Sequence, residues 1–560
     1  MKDDAVVRAG AGVFSTHEVS NQAPPLEGAN LFAIDRALQE AVAREGGGWA
    51  TESLTAFGKT LGEPSTLELG RLANQNRPVL RTHDRFGNRR DEVEFHPAYH
   101  ELMSLGVAHG LHAGPWAEPR PGAHAARAAA YLLYGQVENG TQCPITMTYA
   151  AVPVLQRHAG ALPALSSRWL PRIRSRQYDR RFAPVDAKTG AMVGMGMTEK
   201  QGGSDVRTNT TRAEPAGPRG PGRPYRVTGH KWFMSAPMCD AFLILAQAPG
   251  GLSCFFLPRF LEDRVNALRL LRLKDKMGNH SNASSEVEFE GATAWLLGDE
   301  GRGVPTILEM VNYTRLDCAI GSAGIARAAL TQALHHARHR SAFGRLLAEQ
   351  PLMKNVLADL ALESEAATLL AMRLAGAYDH AGSDREVALR RLLTPATKYW
   401  ICKRLPVFAA EAMEVLAGNG YVEESALPRI FRESPLNSIW EGSGNVMCLD
   451  VLRVAAHERQ AIDAYFEELR TARGGDTRLD AFLGGLEREF AQADGLESKA
   501  RRLTESLALG MQATLLLRHA PTPLAEAFCA SRLQRDHGAA FGTLPAGCDV
   551  DAIIARAWAG

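Results

Sequence analysis

VTGHKWFMSAPMCDAFLILAQAPGGLSCFFLPRF, Val227 to Phe260, decides the fold of this chain. Its runs are short, β-branched or aromatic, and broken by Gly, Pro and Asp, which are strand signals. With SEVEFEGATAWLL further on, they predict a small β barrel or sandwich over 191–296. On both sides the texture is helical. AIDRALQEAVAREGGG, Ala33 to Gly48, carries apolar residues at helical spacing and stops at glycines. Residues 1 to about 30 read as irregular, and the text to about Asp186 as helical segments between proline-broken loops. After the strands come three long helical stretches, Val304–Arg340, Gln350–Asp379 and Thr394–Tyr421, the last with Pro near its start and Gly at its end. Short loops between long helices predict a bundle. A helical region of roughly 100 residues follows.

The order is therefore helical, β, bundle, helical tail, divided at 1–190, 191–296, 297–455 and 456–560, an α+β, mainly α chain. No G-x-G-x-x-G follows a strand, so a Rossmann dinucleotide site is unsupported. The chain has 560 residues, a net charge of +1 and 45% hydrophobic residues, which gives no global attraction to nucleic acid or acidic membranes. Eight scattered cysteines without a C-x-x-C fit a reducing cytoplasm rather than a disulfide or zinc framework. The N-terminus has no signal-peptide pattern, and no apolar run is long enough to span a membrane.

Four stretches carry chemistry. In NSIWEGSGN, Asn437 to Asn445, Glu441 follows an Ile-Trp pair and precedes a Gly-Ser-Gly turn. A carboxylate held on a tight turn against an apolar wall has its pKa raised, as a general base needs. A solvated Glu in a Gly-rich loop is the plainer reading of this stretch alone. In VGMGMTEKQGGSDV, Val193 to Val206, two glycines let backbone N–H groups approach a ligand, and Thr198 and Ser204 add hydroxyls. A tight turn between strands is the plainer reading. GHKWFMSAP, Gly229 to Pro237, could wall a flat heteroaromatic ring or serve as a core strand. RHRSAFGRLL, Arg338 to Leu347, could pair Arg340 with a pyrophosphate or simply end a basic helix at a Gly cap. His335, His336 and His339 share a helix, but no third ligand faces them, so a metal is not expected.

Together the four stretches resemble the acyl-CoA dehydrogenase superfamily. They match T-E-x-x-x-G-S-D at Thr198–Asp205, K-x-F-x-S at Lys231–Ser235, R-x-x-F-G at Arg340–Gly344, G-N-G-Y at Gly418–Tyr421 and W-E-G at Trp440–Gly442. NQAPPLEGANL, CPITMTYAA, LKDKMGNHSNASSEVEFE and NSIWEGSGNVMCLDVLR narrow the resemblance to the alkylation-response, AidB-type branch, over most of the chain. The resemblance implies an N-terminal helical domain, a middle β-barrel-like domain and a four-helix bundle, plus an extra C-terminal helical domain. It implies a homotetramer with FAD between the β domain and the bundle.

By match, Met195, Met197 and Thr198 edge the isoalloxazine, Gly203 and Ser204 meet the flavin phosphates or a ligand's tail, and Phe233, Met234 and Ser235 face the ring. Phe233 stands where most relatives carry Trp. Arg340 and Phe343 serve a FAD bound mainly by a neighbouring subunit. Trp440, Gly442, Ser443 and Asn445 surround the ring edge and the adenosine side, and Glu441 is the base. Thr198, Ser204, Arg315 and Asn445 are expected at an acyl-CoA or other small ligand. The position that holds the base in some relatives is Thr314, and an acid found near Arg315 in many is Asn312. These departures, with Phe233, imply weak acyl-CoA turnover at most. The branch also binds double-stranded DNA in protection against alkylating agents. Arg453, then Arg501, Arg502 and Arg518, are the expected phosphate contacts, although acids outnumber bases in 456–560. The denser run Arg168–Arg181 reads as a cap on a solvated face. A conventional acyl-CoA dehydrogenase without DNA binding is the competing reading.

Overall fold

The computed structural model describes residues 16–491 and 496–558. Residues 1–15 of the expected irregular N-terminus lie outside them. The chain then forms helices α1 (Arg36–Arg44), α2 (Thr51–Leu61) and α3 (Pro64–Gln75), the hairpin β1 (Val79–His83)–β2 (Arg89–Glu94), and helices α4 (Pro97–Ala108), α5 (Ala123–Gly135) and α6 (Gln142–His158). Asp35 starts α1 by accepting the Leu38 N–H, as an N-cap carboxylate does. The β1–β2 hairpin corrects the helix-and-loop reading of this region. Its strands are short, charged and mostly exposed, so they lack the apolar alternation that marks a strand.

Strands β3 (Val193–Gly196), β4 (Arg212–Pro215), β5 (Pro224–Ser235), β6 (Ala241–Ala248), β7 (Gly251–Pro258), β8 (Leu268–Leu273) and β9 (Ser284–Leu297) make one sheet. β6 pairs with β4 and β7, and β9 with β5 and β7, so the path β6–β4–β5–β9–β7 closes on itself into the expected barrel-like domain. β6 and most of β7 are buried at nearly every position, which is why their sequences read as continuous apolar runs.

Helices α7 (Gly303–His339), α8 (Pro351–Asp379) and α9 (Asp384–Val415) form the bundle. α9 begins ten residues earlier than the sequence reading placed it, and Pro395 and Pro406 lie inside it. Ser383 caps it, with Glu386 three residues on, a capping-box pattern outweighed in the sequence reading by the proline. Past α7, Arg340 is already extended, and Ser341–Ala342 pairs with Arg345–Leu346 in a small hairpin rather than a Gly cap. Helices α10 (Gly444–His457), α11 (Arg459–Arg470), α12 (Thr477–Ala491), α13 (Leu496–His519), α14 (Thr522–Phe528) and α15 (Val550–Ala557) complete the chain.

The tail packs onto the bundle. Trp400 of α9 donates its indole N–H to Gln512 of α13 at 3.0 Å, and buried Arg532 pairs with Asp359 of α8. At the other end, buried Arg127 of α5 pairs with Asp317 of α7 and ties the N-terminal helices to the bundle. These ion pairs are nearly dehydrated, so each fixes which surfaces meet more than it adds stability. Three arginines of the run form ion pairs at the surface. Arg168 pairs with Asp186, Arg176 with Glu118 and Arg181 with Asp179.

Candidate functional site at the barrel–bundle junction

A cavity of about 660 Å³ lies where the barrel meets the bundle. α7 lines it from Val304 to Ile325, roughly 31 Å of helix at 1.5 Å per residue. Its lining includes the exposed Leu449 and Arg453, as well as Tyr131, Asn139 and Gln142. Glu441 lines it beside Thr314.

The loop that carries Glu441 is held from three sides. Glu441 has φ +57°, the left-handed region that non-glycine residues rarely enter, at a cost of ~1–3 kcal/mol. Gly442 follows at φ +95°, and a Cβ there would come within 2.6 Å of Met447 Cε. Buried Lys398 of α9 donates to the carbonyls of Trp440 at 2.9 Å and Gly442 at 2.7 Å. Arg315 of α7 donates from Nε to the Glu441 carbonyl at 3.1 Å while its Nη1 pairs with Asp450 at 2.8 Å. The Trp440 indole donates to Asn437, which in turn donates to Ser322 of α7. The strain at Glu441 therefore persists because its neighbours over-determine the turn.

Thr314 donates its hydroxyl to Glu441 Oε2 at 2.5 Å. Burial pushes the Glu441 carboxyl above the ordinary range, and the Thr314 hydroxyl, Lys398 and Arg315 pull it back only in part. A carboxylate with a raised pKa, aimed into a largely apolar cavity, can take a weakly acidic proton. Thr314→Val removes a donor that favours the ionised form. The acid limb of the rate–pH profile then moves to higher pH, and turnover at neutral pH falls roughly tenfold, as stopped-flow rates across pH will show.

The opposite wall comes from the barrel. Met195 lies in β3, with Met197 and Thr198 just beyond the strand, and all three line the cavity. Gly203 and Ser204 line it too, and a Cβ on Gly203 would lie 2.4 Å from Thr198 Oγ1, so only glycine lets this turn close. Glu199 anchors the loop from behind. It accepts the backbone N–H groups of Thr210 at 2.7 Å and Thr211 at 3.2 Å and pairs with Lys231 at 2.8 Å, both side chains fully buried. A register shift between Lys231 and Met234 bulges β5 against β9 at Trp232–Phe233. Phe233 and Ser235 face the cavity, and Phe233 is 49% exposed. Met234, expected at the ring, is instead turned into the barrel core, because neighbouring strand residues point to opposite faces.

Trp440, Gly442 and Ser443 line the cavity with Glu441, as do Arg315 and Arg453. Asn445 does not: it is exposed and accepts from Arg501 Nε at 2.8 Å. Arg340 and Phe343 lie away from the cavity within one chain. Arg340 donates to the Asn21 carbonyl, and Phe343 is 99% exposed. The His335 ring bonds the Pro24 carbonyl and the His339 ring the His335 carbonyl. Lys398, Thr314 in its donor role and Asp450 were not legible as site residues. Lys398 sits in TPATKYW with no local pattern to mark it.

The cavity suits a flat cofactor. An exposed aromatic ring forms one wall, hydroxyls edge it, and the buried Thr146 Oγ1 and Asn279 Oδ1 in its lining lack hydrogen-bond partners. Thr198, Ser204, Phe233, Ser235 and Ser443 are the residues here that would hold such a group.

Comparison with known proteins agrees with this geometry. Residues 21–180 match the N-terminal domain of the adaptive response protein AidB, 194–292 the acyl-CoA dehydrogenase middle domain, and 301–456 the acyl-CoA dehydrogenase C-terminal domain. The chain is 49% identical over 518 residues to AidB of Escherichia coli (strain K12), covering 92% of this chain and 94% of that protein. It is 31% identical to acyl-CoA dehydrogenase family member 11 of Caenorhabditis elegans, over 80% of this chain and 73% of that one. Among solved structures, C. elegans ACDH-11 in complex with C11-CoA superposes with a TM-score of 0.86 at 26% identity, over 93% of this chain and 94% of that one. An acyl-CoA dehydrogenase complexed with FAD from Bacillus anthracis shares the fold, with a TM-score of 0.65 at 16% identity, over 91% and 90% of the two chains. The family's cofactor is FAD and its chemistry is flavin-dependent oxidation at CH–CH donors. This chain belongs to the acyl-CoA dehydrogenase family, as a member with the N-terminal domain of the AidB-type adaptive response proteins.

Proposed function

We propose that this chain is an AidB-type flavoprotein of the response to DNA alkylation, with a weak acyl-CoA dehydrogenase activity of the isovaleryl type in its cavity and double-stranded DNA as its macromolecular partner. The observation that carries the enzymatic part is the Glu441 carboxylate, strained, desolvated and hydrogen-bonded by Thr314, in the wall of the cavity. Bound FAD would supply the acceptor for a hydride from the acyl β-carbon. The chain's own groups do the rest. An acyl thioester enters past the exposed Leu449 and Arg453, its carbonyl accepts from the Glu441 backbone N–H, which has no acceptor of its own among the described residues, and Glu441 takes the α-proton. The α C–H bond becomes the second bond of the enoyl product as the hydride leaves, and the proton stays on Glu441. The apolar walls exclude water and keep Glu441 basic.

The chain works as a homotetramer, which would bring the exposed Phe343 and the adjoining Arg340 against a neighbour's cofactor. Free cysteines throughout fit a cytoplasmic, reducing setting. Within the described residues no helix is long and apolar enough to cross a membrane.

The DNA contact rests on kinship and on four exposed arginines: Arg453 in the cavity lining, and Arg501, Arg502 and Arg518 on α13. A specific observation favours the competing reading, a conventional dehydrogenase of fatty-acid or branched-chain catabolism that does not bind DNA. Arg453 pairs with Asp450 at 2.5 Å, Arg502 with Glu489 at 3.8 Å and Arg518 with Glu468 at 3.6 Å, so carboxylates compete with phosphate for each. Anaerobic mixing with short acyl-CoAs tests the enzyme, which predicts a bleached flavin and one enoyl thioester per flavin. A salt titration with duplex DNA tests the partner. The expected result is steep, sequence-indifferent binding whose salt slope drops by about 1 in Arg453→Ala and is unchanged in Glu441→Gln. No binding at low salt selects the conventional dehydrogenase.

A further inference from the structure

A second cavity, of about 1230 Å³, opens between the N-terminal segment, α3, the C-terminal third of α7 and the segment from Leu416 to Arg432. Lys276 lines both this cavity and the one around Glu441. Two donors in its lining have no acceptor. Arg429 makes no hydrogen bond and no ion pair with any described residue, and its Nη1 is buried. Gln136 Nε2 is likewise buried and unpaired. Gly70 of α3 keeps the guanidinium in place: a Cβ there would lie 3.0 Å from Arg429 Nη1 and 2.6 Å from the Val137 carbonyl.

A buried guanidinium nitrogen without a hydrogen-bond acceptor is rare, because its desolvation is only partly offset. The nearby carboxylates do not supply one. Glu138 accepts from Asn74, Thr141 and Ser281, and Glu433 from Asn279. The acids in the lining are spent or outside: Glu68 pairs with Arg71 and Glu423 with Arg432, while Glu27 and Glu424 are exposed. Lys276 donates only to the Asn282 carbonyl and the Ser284 hydroxyl. The lining thus presents two unmatched donors and the Lys276 ammonium, with Glu138 and Glu433 nearby as counter-charges to both cations.

We propose that this cavity binds a small phosphoryl-bearing ligand, with Arg429 as its anchor and Gln136 and Lys276 as further donors. A guanidinium fork matches phosphoryl oxygens two at a time, which a lone ammonium cannot do. The volume suits a nucleotide-sized molecule. Because Lys276 lines both cavities, occupancy here would be felt beside the flavin site.

The test is calorimetric titration of the full-length, FAD-saturated protein with inorganic pyrophosphate, with citrate as a carboxylate control. The expected result is saturable binding of one pyrophosphate per chain, at least tenfold tighter than citrate. Arg429→Gln weakens it tenfold or more, Arg429→Lys recovers part, and Gln136→Leu weakens it several-fold. No saturable binding overturns the proposal, and would mean that a neighbouring subunit or solvent serves these donors. Equal affinity for citrate overturns the phosphoryl assignment. If Arg429→Gln does not fold, unchanged affinity in Gln136→Leu overturns it as well.

Discussion

Glu441→Gln will leave the protein yellow and folded but will slow flavin reduction by an acyl-CoA at least about 10³-fold in a single anaerobic turnover. General-base contributions run to roughly 10²–10⁴-fold. Of the other acids in the lining, Asp317 pairs with Arg127, Asp450 with Arg315, and Glu433 accepts from Asn279. Glutamine keeps the size of the side chain and can still hydrogen-bond Thr314, so the loop held by Lys398 and Arg315 stays in place. The loss will therefore appear in the rate of reduction and not in ligand affinity, because removing a group that acts only as the proton leaves does not weaken ground-state binding. A variant that bleaches at the parent rate would show that the strained turn serves another purpose.

Glu199→Gln will destabilise the protein by roughly 3–5 kcal/mol, read from chemical denaturation, and will weaken FAD retention with it. Glu199 and Lys231 are both fully buried, and removing one charge leaves the other without compensation. Burial alone would raise the Glu199 carboxyl, but Lys231 and the Thr210 and Thr211 donors overcome it and hold it at about 2. A carboxyl depressed in the folded state stabilises fully above its ordinary pKa. That contribution drains away as pH falls from about 4.5 through about 2. The parent will lose stability through this window, and the Gln variant will lose less. The double change Glu199→Gln with Lys231→Met will recover most of the loss, since a buried pair replaced by uncharged groups often costs little. A single variant within about 1 kcal/mol of the parent would mean that water reaches this pair.

The architecture was legible where side-chain pattern and environment agree. β6 and β7 are apolar throughout because both faces are covered, and α7 and α8 are long because nothing in them breaks a helix. The reading failed where tertiary contacts override a local signal. Pro395 and Pro406 sit inside α9, and the β1–β2 hairpin carries charge at most positions. The site divides the same way. Glu441 announces itself as a charge beside Trp on a glycine turn, and Phe233 and Ser235 share one face of a strand. What suits Glu441 to the proposed role of base is not local. Thr314 lies 127 residues away and Lys398 some 43, and neither has a neighbour in sequence that marks it. Met234 shows the converse: its place in the motif says ring contact, and strand alternation turns its side chain into the core.

In the proposed reaction Glu441 removes an α-proton from an acyl thioester in this cavity. Washout of α-protons in deuterated water, followed by mass spectrometry on an acyl-CoA bound to the FAD-loaded protein without oxygen, tests it most directly. Deuterium is expected at the α-carbon with the parent protein and none with Glu441→Gln. Equal deuterium with both proteins would contradict it.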